Sequence, residues 1–181
     1  MSETNQPGPG NMAPFLTPNR RIGLVAVVVV TLDQLTKLLV KHYLGLDEER
    51  VVINGFFKLV HWSNTGAAWS LFSGKNQVLA VVGILALLIL FRSRHHFDAH
   101  TLMGQLALGL IFGGIVGNLL DRVIDHHVTD FLYFYLERRG GDRIGFPAFN
   151  IADSAICIGV GLIFLASFRN EKAVPSAPPA A

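Results

Sequence analysis

The sequence is short of charge and nearly empty of cysteine. Only 15% of its residues are Asp, Glu, Lys or Arg, against 51% hydrophobic, too apolar a balance for an ordinary soluble domain. A formal net charge of +2, with no basic stripe interleaved with aromatics, argues against a nucleic-acid partner. One cysteine leaves no disulfide framework and no cysteine-based metal site. Cys157 lies in an apolar run and reads as a small buried hydrophobe rather than a nucleophile. No predicted helix carries H-x-x-x-H or H-E-x-x-H. Adjacent His126 and His127 cannot both point one way on a regular element, so with His61 they do not read as a zinc site. There is no internal repeat, and 181 residues allow one domain.

What the chain does have is long apolar runs. A helix needs ~20 mostly apolar residues to cross a bilayer. Four stretches qualify, at about 22–44, 76–91, 101–120 and 150–168. The first interrupts its apolar run with Asp33 and Lys37, so it reads as an uncleaved anchor rather than a signal peptide. The divisions are a disordered tail over 1–21, a four-span unit over 22–168 and a C-terminal tail over 169–181. Between spans one and two, V-V-I-N-G-F-F-K-L-V-H-W predicts a hairpin turning at Asn54-Gly55. Phe57, Leu59 and His61 would share one face, with Phe56, Lys58, Val60 and Trp62 on the other. Both faces are partly apolar, as suits a membrane surface. The expected fold class is therefore an all-α membrane protein with four transmembrane helices, a small β-hairpin or sheet and an irregular loop over 123–149. Lys and Arg flank both membrane sides, so the charge count alone is indecisive, while the arginine pair before span one and the compact turn over 92–96 favour termini in the cytoplasm.

Ionisable residues in such a chain carry most of the information, because a charge at the edge of hydrocarbon is costly unless paired or used. Asp33 and Lys37 stand four apart and share a helix face, which fits an ion pair or a polar cavity between helices. Gly113 and Gly117 form a G-x-x-x-G step that lets a second helix approach. Asn118, Asp121 and Arg122 follow on one face, as a solvated helix end with an Asp–Arg contact or as a positioned polar cluster. Asp130 precedes the aromatic string F-L-Y-F-Y-L, which suits an interfacial anchor. Asp153 opens span four three residues after Asn150. Taken singly, Asp130 reads equally as a loop acid, and Asp153 as a helix cap.

Five motifs in order change the balance. D-Q-L-T-K (33–37), N-T-G-A-A-W-S (64–70), G-N-L-L-D-R (117–122), V-T-D-F (128–131) and F-N-I-A-D-S (149–154) together resemble the bacterial lipoprotein signal peptidases, signal peptidase II. The resemblance covers about residues 22–168. It implies an intramembrane aspartyl endopeptidase that removes the signal peptide of membrane-bound prolipoproteins just before a diacylglyceryl-modified cysteine. The matching positions make Asp130 and Asp153 the catalytic dyad. Asn64, Gly66, Gly114, Asn118, Asp121, Arg122, Asn150, Asp33 and Lys37 fall on the supporting positions. No cofactor and no metal are implied, and the expected partners are prolipoprotein and lipid, with the chain acting as a monomer. The family pattern also implies an inner-membrane location, both termini cytoplasmic, and a hairpin and loop on the periplasmic side near the active site. Trp69 stands where the family usually has another aromatic such as Phe.

Peptide hydrolysis without metal or thiol needs an activated water and a protonated leaving nitrogen. Two neighbouring carboxyls supply both when one is ionised and one protonated. On that reading Asn118 and Arg122 would hold a substrate carbonyl, Asn64 and Asn150 would orient the dyad, and Asp33 and Lys37 would serve as scaffold. The alternative is a small multi-pass transporter using the same acids as an ion or proton path.

Overall fold

The computed structural model describes residues 17–66, 72, 74–97, 99–137 and 143–171. Most of both predicted tails, and the A-A-W-S part of the second motif with Trp69, lie outside the described residues. Among the described residues, four helices are long and apolar enough to cross a membrane. They are α1 (Pro18–Tyr43), α2 (Asn76–Ser93), α3 (Leu102–Ile124) and α4 (Ile151–Glu171). Helix α1 starts four residues before the apolar run because Pro18 stands at its first turn, where the missing N–H costs nothing. Its 26 residues span about 39 Å, more than the ~30 Å of hydrocarbon.

Helix α3 is the most buried of the four, and the other three pack around it. It runs parallel to α1: Arg21 reaches Gln105 at one end, and Lys41 pairs with Asp125 at 2.6 Å near the other. Apolar burial does not drive helices together inside lipid, so close approach of small residues matters. A Cβ on Gly113 would sit 2.7 Å from that of Val29, and one on Gly117 would meet the Asp33 carboxylate at 2.7 Å. On the other side, a Cβ on Gly114 would collide with the Ala152 carbonyl. These glycines bring α1 and α4 onto α3 at the height where the polar residues stand.

At the end where α1 and α3 finish, four strands form one antiparallel sheet in the order β1-β2-β3-β4. Strands β1 (Glu49–Ile53) and β2 (Phe57–Asn64) form the predicted hairpin, with Gly55 at φ 73° in its turn. The expected alternation does not hold along all of β2. A bulge between Leu59 and Trp62 leaves both Val60 and His61 buried, with His61 Nδ1 3.0 Å from the Leu44 carbonyl oxygen. The aromatic string expected in an irregular interfacial loop is instead a strand, β3 (Val128–Glu137). It pairs with β2, setting Trp62 opposite Asp130 and Asn64 opposite Val128, and β4 (Arg143–Gly145) closes the sheet. The chain is therefore mostly helical, with a small sheet over one end of the bundle.

Candidate active site

The first turn of α4 is held from three directions. Asn150 Oδ1 accepts the Asp153 N–H at 3.0 Å, and the Asp153 carboxylate accepts the Asn150 N–H at 3.2 Å, a reciprocal cap. From α1, Asp33 accepts the Ala152 N–H at 2.9 Å. The capping role open to Asp153 is thus real, yet it uses only one oxygen. The other accepts Asn118 Nδ2 at 2.7 Å. Asp130, reached by β3, accepts Asn64 Nδ2 at 2.9 Å and Asn150 Nδ2 at 2.8 Å. Asn150 therefore bridges the two acids.

Three amides face these carboxylates, and each has only one physically sensible orientation. The Lys37 ammonium can only donate, so the amide atom 3.2 Å from it is the oxygen of Asn118, which turns that NH2 toward Asp153. The Gly66 N–H fixes Asn64 by its oxygen at 2.9 Å, and the Asp153 N–H fixes Asn150. All three present donors to the acid pair. Beneath them, buried Lys37 pairs with Asp33 at 2.7 Å and Asp121 at 2.8 Å, and Gln34 donates to Asp121 at 2.8 Å. The Asp33–Lys37 pair read from the sequence is present; the local Asp121–Arg122 contact is not. Asp121 turns to Lys37, while Arg122 donates to the Gly66 carbonyl at 2.9 Å and to Asn76 Oδ1 at 3.1 Å.

Burial pushes the Asp130 carboxyl up to about 7, and the Asp153 charge beside it adds to the rise. The Asn64 and Asn150 hydrogen bonds and the Lys37 charge favour the ionised form and oppose that shift.

Both acids open into a cavity of about 970 Å³. Asn64, Gly66, Asn118 and Arg122 line its polar side, and Trp62, Tyr133, Phe146 and Phe149 its aromatic side. Cys157 also lines it and is exposed, not buried as its apolar run suggests. One helical turn after Asp153, the thiol faces the same opening. Gly114 contributes no atom to the cavity; it is the point at which α4 meets α3. Among the described residues, no three His, Cys, Asp or Glu side chains converge as a metal-binding group.

Two residues of the polar cluster escaped the sequence reading. Gln34 stands inside D-Q-L-T-K, and its place in that motif was the available signal. Asn76 opens α2 and holds Arg122 by side chain and backbone, for which no local pattern exists.

This geometry has known relatives. A family model described as "Signal peptidase (SPase) II" matches residues 25–169. A lipoprotein signal peptidase of Maridesulfovibrio salexigens is 36% identical over 157 residues, 82% of this chain and 96% of that protein. One from Symbiobacterium thermophilum is 41% identical over 143 residues, 78% and 90% of the two chains. A solved bacterial membrane enzyme superposes with a TM-score of 0.72 at 34% identity, covering 87% of this chain and 93% of its own. With the family model matched across all four helices and the sheet between them, the chain belongs to the signal peptidase II family of aspartic peptidases.

Proposed function

We propose that this chain removes signal peptides from diacylglyceryl-modified prolipoproteins, cutting before the lipidated cysteine, with Asp130 and Asp153 as its catalytic dyad. The observation that carries the dyad is the ring of three oriented amides, Asn64, Asn118 and Asn150, all donating to these two carboxylates at the floor of one cavity. The raised Asp130 carboxyl supports a pair that keeps one shared proton near neutral pH.

The ionised carboxylate takes a proton from water as the new C–O bond forms at the scissile carbonyl. The protonated partner hydrogen-bonds the carbonyl oxygen and passes its proton to it. When the C–N bond breaks, the leaving nitrogen takes a proton from the acid that received water's. The second acid recovers its own from the collapsing hydroxyl. The pair ends as it began, with one proton.

The supporting positions divide by contact. Asn64, Asn118 and Asn150 orient the dyad. Gly66 and Arg122 shape the cavity wall, and Asp33, Lys37 and Asp121 brace the helices beneath. The aromatic side of the cavity suits an apolar substrate segment entering from the bilayer. We place the sheet end on the periplasmic side and both termini in the cytoplasm, with residues 22–168 as the peptidase unit. Arg20, Arg21, Arg92 and Arg94 at the opposite end support that orientation. We also propose that the chain acts as a monomer. The transporter alternative is not supported: the acids gather at one end of the bundle and do not line a path through it.

The test is cleavage of a diacylglyceryl-modified prolipoprotein by wild type, Asp130→Asn and Asp153→Asn. Loss of cleavage in both folded variants is expected. Full activity in either sinks the dyad.

A further inference from the structure

A guanidinium next to an acid pair that must keep one proton is a hazard. An opposite charge within ~4–6 Å favours ionisation by about one to three pKa units, and a direct salt bridge would hold both carboxyls ionised. Arg122 lies within electrostatic reach of Asp130, Asp153 and Asp121 and lines the same cavity. Even so, no ion pair joins it to any of them among the described residues. Its Nη1 and Nη2 are taken by two neutral acceptors, Asn76 Oδ1 at 3.1 Å and the Gly66 carbonyl at 2.9 Å. Asn76 is anchored in turn, because its Nδ2 donates to the Arg122 carbonyl at 2.9 Å. One side chain at the start of α2 therefore grips both the backbone and the guanidinium of the same arginine.

We infer that Asn76 is a positioning residue that holds the Arg122 guanidinium off the Asp130–Asp153 pair. This rests on the dyad reading and adds to it a device that protects the shared proton. Besides Arg122 of α3, the described charged groups acting on Asp130 are Asp153 from α4 and Lys37 from α1, and Asp33 of α1 also acts on Asp153. Lys37 is already saturated by Asp33 and Asp121. Among the described residues, that leaves Arg122 as the cation able to move onto the dyad. Without the Asn76 oxygen, Arg122 keeps one tether, at Gly66, and can rotate toward the carboxylates.

The two functions of Asn76 can be separated. Asn76→Ala removes both its hydrogen bonds. Asn76→Asp loses the donor to the Arg122 carbonyl and keeps an acceptor for the guanidinium. The experiment measures kcat and KM of the full-length enzyme on a diacylglyceryl-modified prolipoprotein from about pH 5 to about pH 9. Asn76→Ala should move the alkaline limb of kcat to lower pH by about one unit or more. On that limb, one unit is roughly a tenfold loss of rate at fixed pH. Asn76→Asp should keep the limb at or above its wild-type position.

If the Asn76→Ala limb stays in place, or both variants shift together, the clamp is overturned and Asn76 only docks α2 on α3. Asn76 is partly exposed. Should Asn76→Ala not fold, Asn76→Gln, whose longer side chain displaces the acceptor, takes its place in the same comparison. Full cleavage by Asp130→Asn or Asp153→Asn in the same assay overturns the dyad reading itself, and the clamp with it.

Discussion

Lys37 holds Asn118 by its amide oxygen at 3.2 Å, and the NH2 of Asn118 is thereby aimed at Asp153, 2.7 Å away. The lysine lies near the C-terminal end of α1 and the aspartate in the first turn of α4, with one amide of α3 transmitting direction between them. Replacing Asn118 with Leu leaves Lys37 its two carboxylates and deprives Asp153 of its shortest hydrogen bond. Removing one well-placed donor at a reacting centre typically costs about 10²–10³ in kcat. The expected result is a loss of that size with KM little changed. A variant of wild-type kcat would show that the amide does not act on the dyad.

Asp130 gives a pH signature in stability as well as in rate. Its carboxyl is pushed up to about 7 in the folded chain, against ~3.9 for an unfolded aspartate. Between those values the folded state binds more protons, so this group's contribution to stability falls as pH rises through the window and levels off above it. Asp130→Asn removes that loss. Its unfolding free energy should match wild type near about pH 4 and exceed it increasingly toward about pH 8, by on the order of a few kcal/mol at most, with the melting temperature rising in step. A difference independent of pH, or a more stable wild type at the alkaline end, contradicts a raised carboxyl.

Gly114 and Gly161 make a matched pair for the helix contact. A Cβ at Gly114 meets the backbone of Ala152, one residue before Asp153, while a Cβ at Gly161 meets nothing within 4 Å. Gly114→Ala should cost about 1–3 kcal/mol by overpacking and should also reduce cleavage, because α4 is displaced at its first turn. Gly161→Ala should be neutral or stabilising by about 0.5–1 kcal/mol. Equal behaviour of the two variants in thermal unfolding would contradict the close α3–α4 contact.

The exposed thiol offers a probe of access. Cys157 lines the cavity one turn from Asp153. A bulky apolar maleimide on it should block cleavage, and substrate should slow the labelling. Asn76, Asp130 and the amide ring are untouched by Cys157→Ala, so that variant should keep its activity and resist the reagent. Full activity after complete labelling would place the substrate elsewhere.

Hydropathy alone located the four spans, because crossing a bilayer demands a run of apolar residues whatever their partners. The hairpin was equally local, carried by Asn54-Gly55 between β-rich runs. Strand β3 was not legible. F-L-Y-F-Y-L fits an interfacial anchor as well as a strand, and only pairing with distant β2 decides between them. The exposure of Cys157 escaped for a related reason. An apolar run marks a helix as membrane-embedded but does not say which face looks into a cavity. At Arg122 the i, i+1 neighbour Asp121 suggested a local ion pair, yet Lys37 from another helix takes Asp121 instead.

By itself the sequence determined that this protein lives in a membrane, that it carries acids too costly there to be idle, and that five ordered motifs group those acids as one family does. These are properties of composition and order along the chain. The tertiary structure alone decided which hydrogen-bond donor faces which acid. Glycines at the α1–α3 and α3–α4 contacts let the helices close to within reach of one ammonium, Lys37. That ammonium, with two backbone N–H groups, leaves the three amides a single orientation. Direction of a dipole is a consequence of packing among distant segments, and no local pattern encodes it.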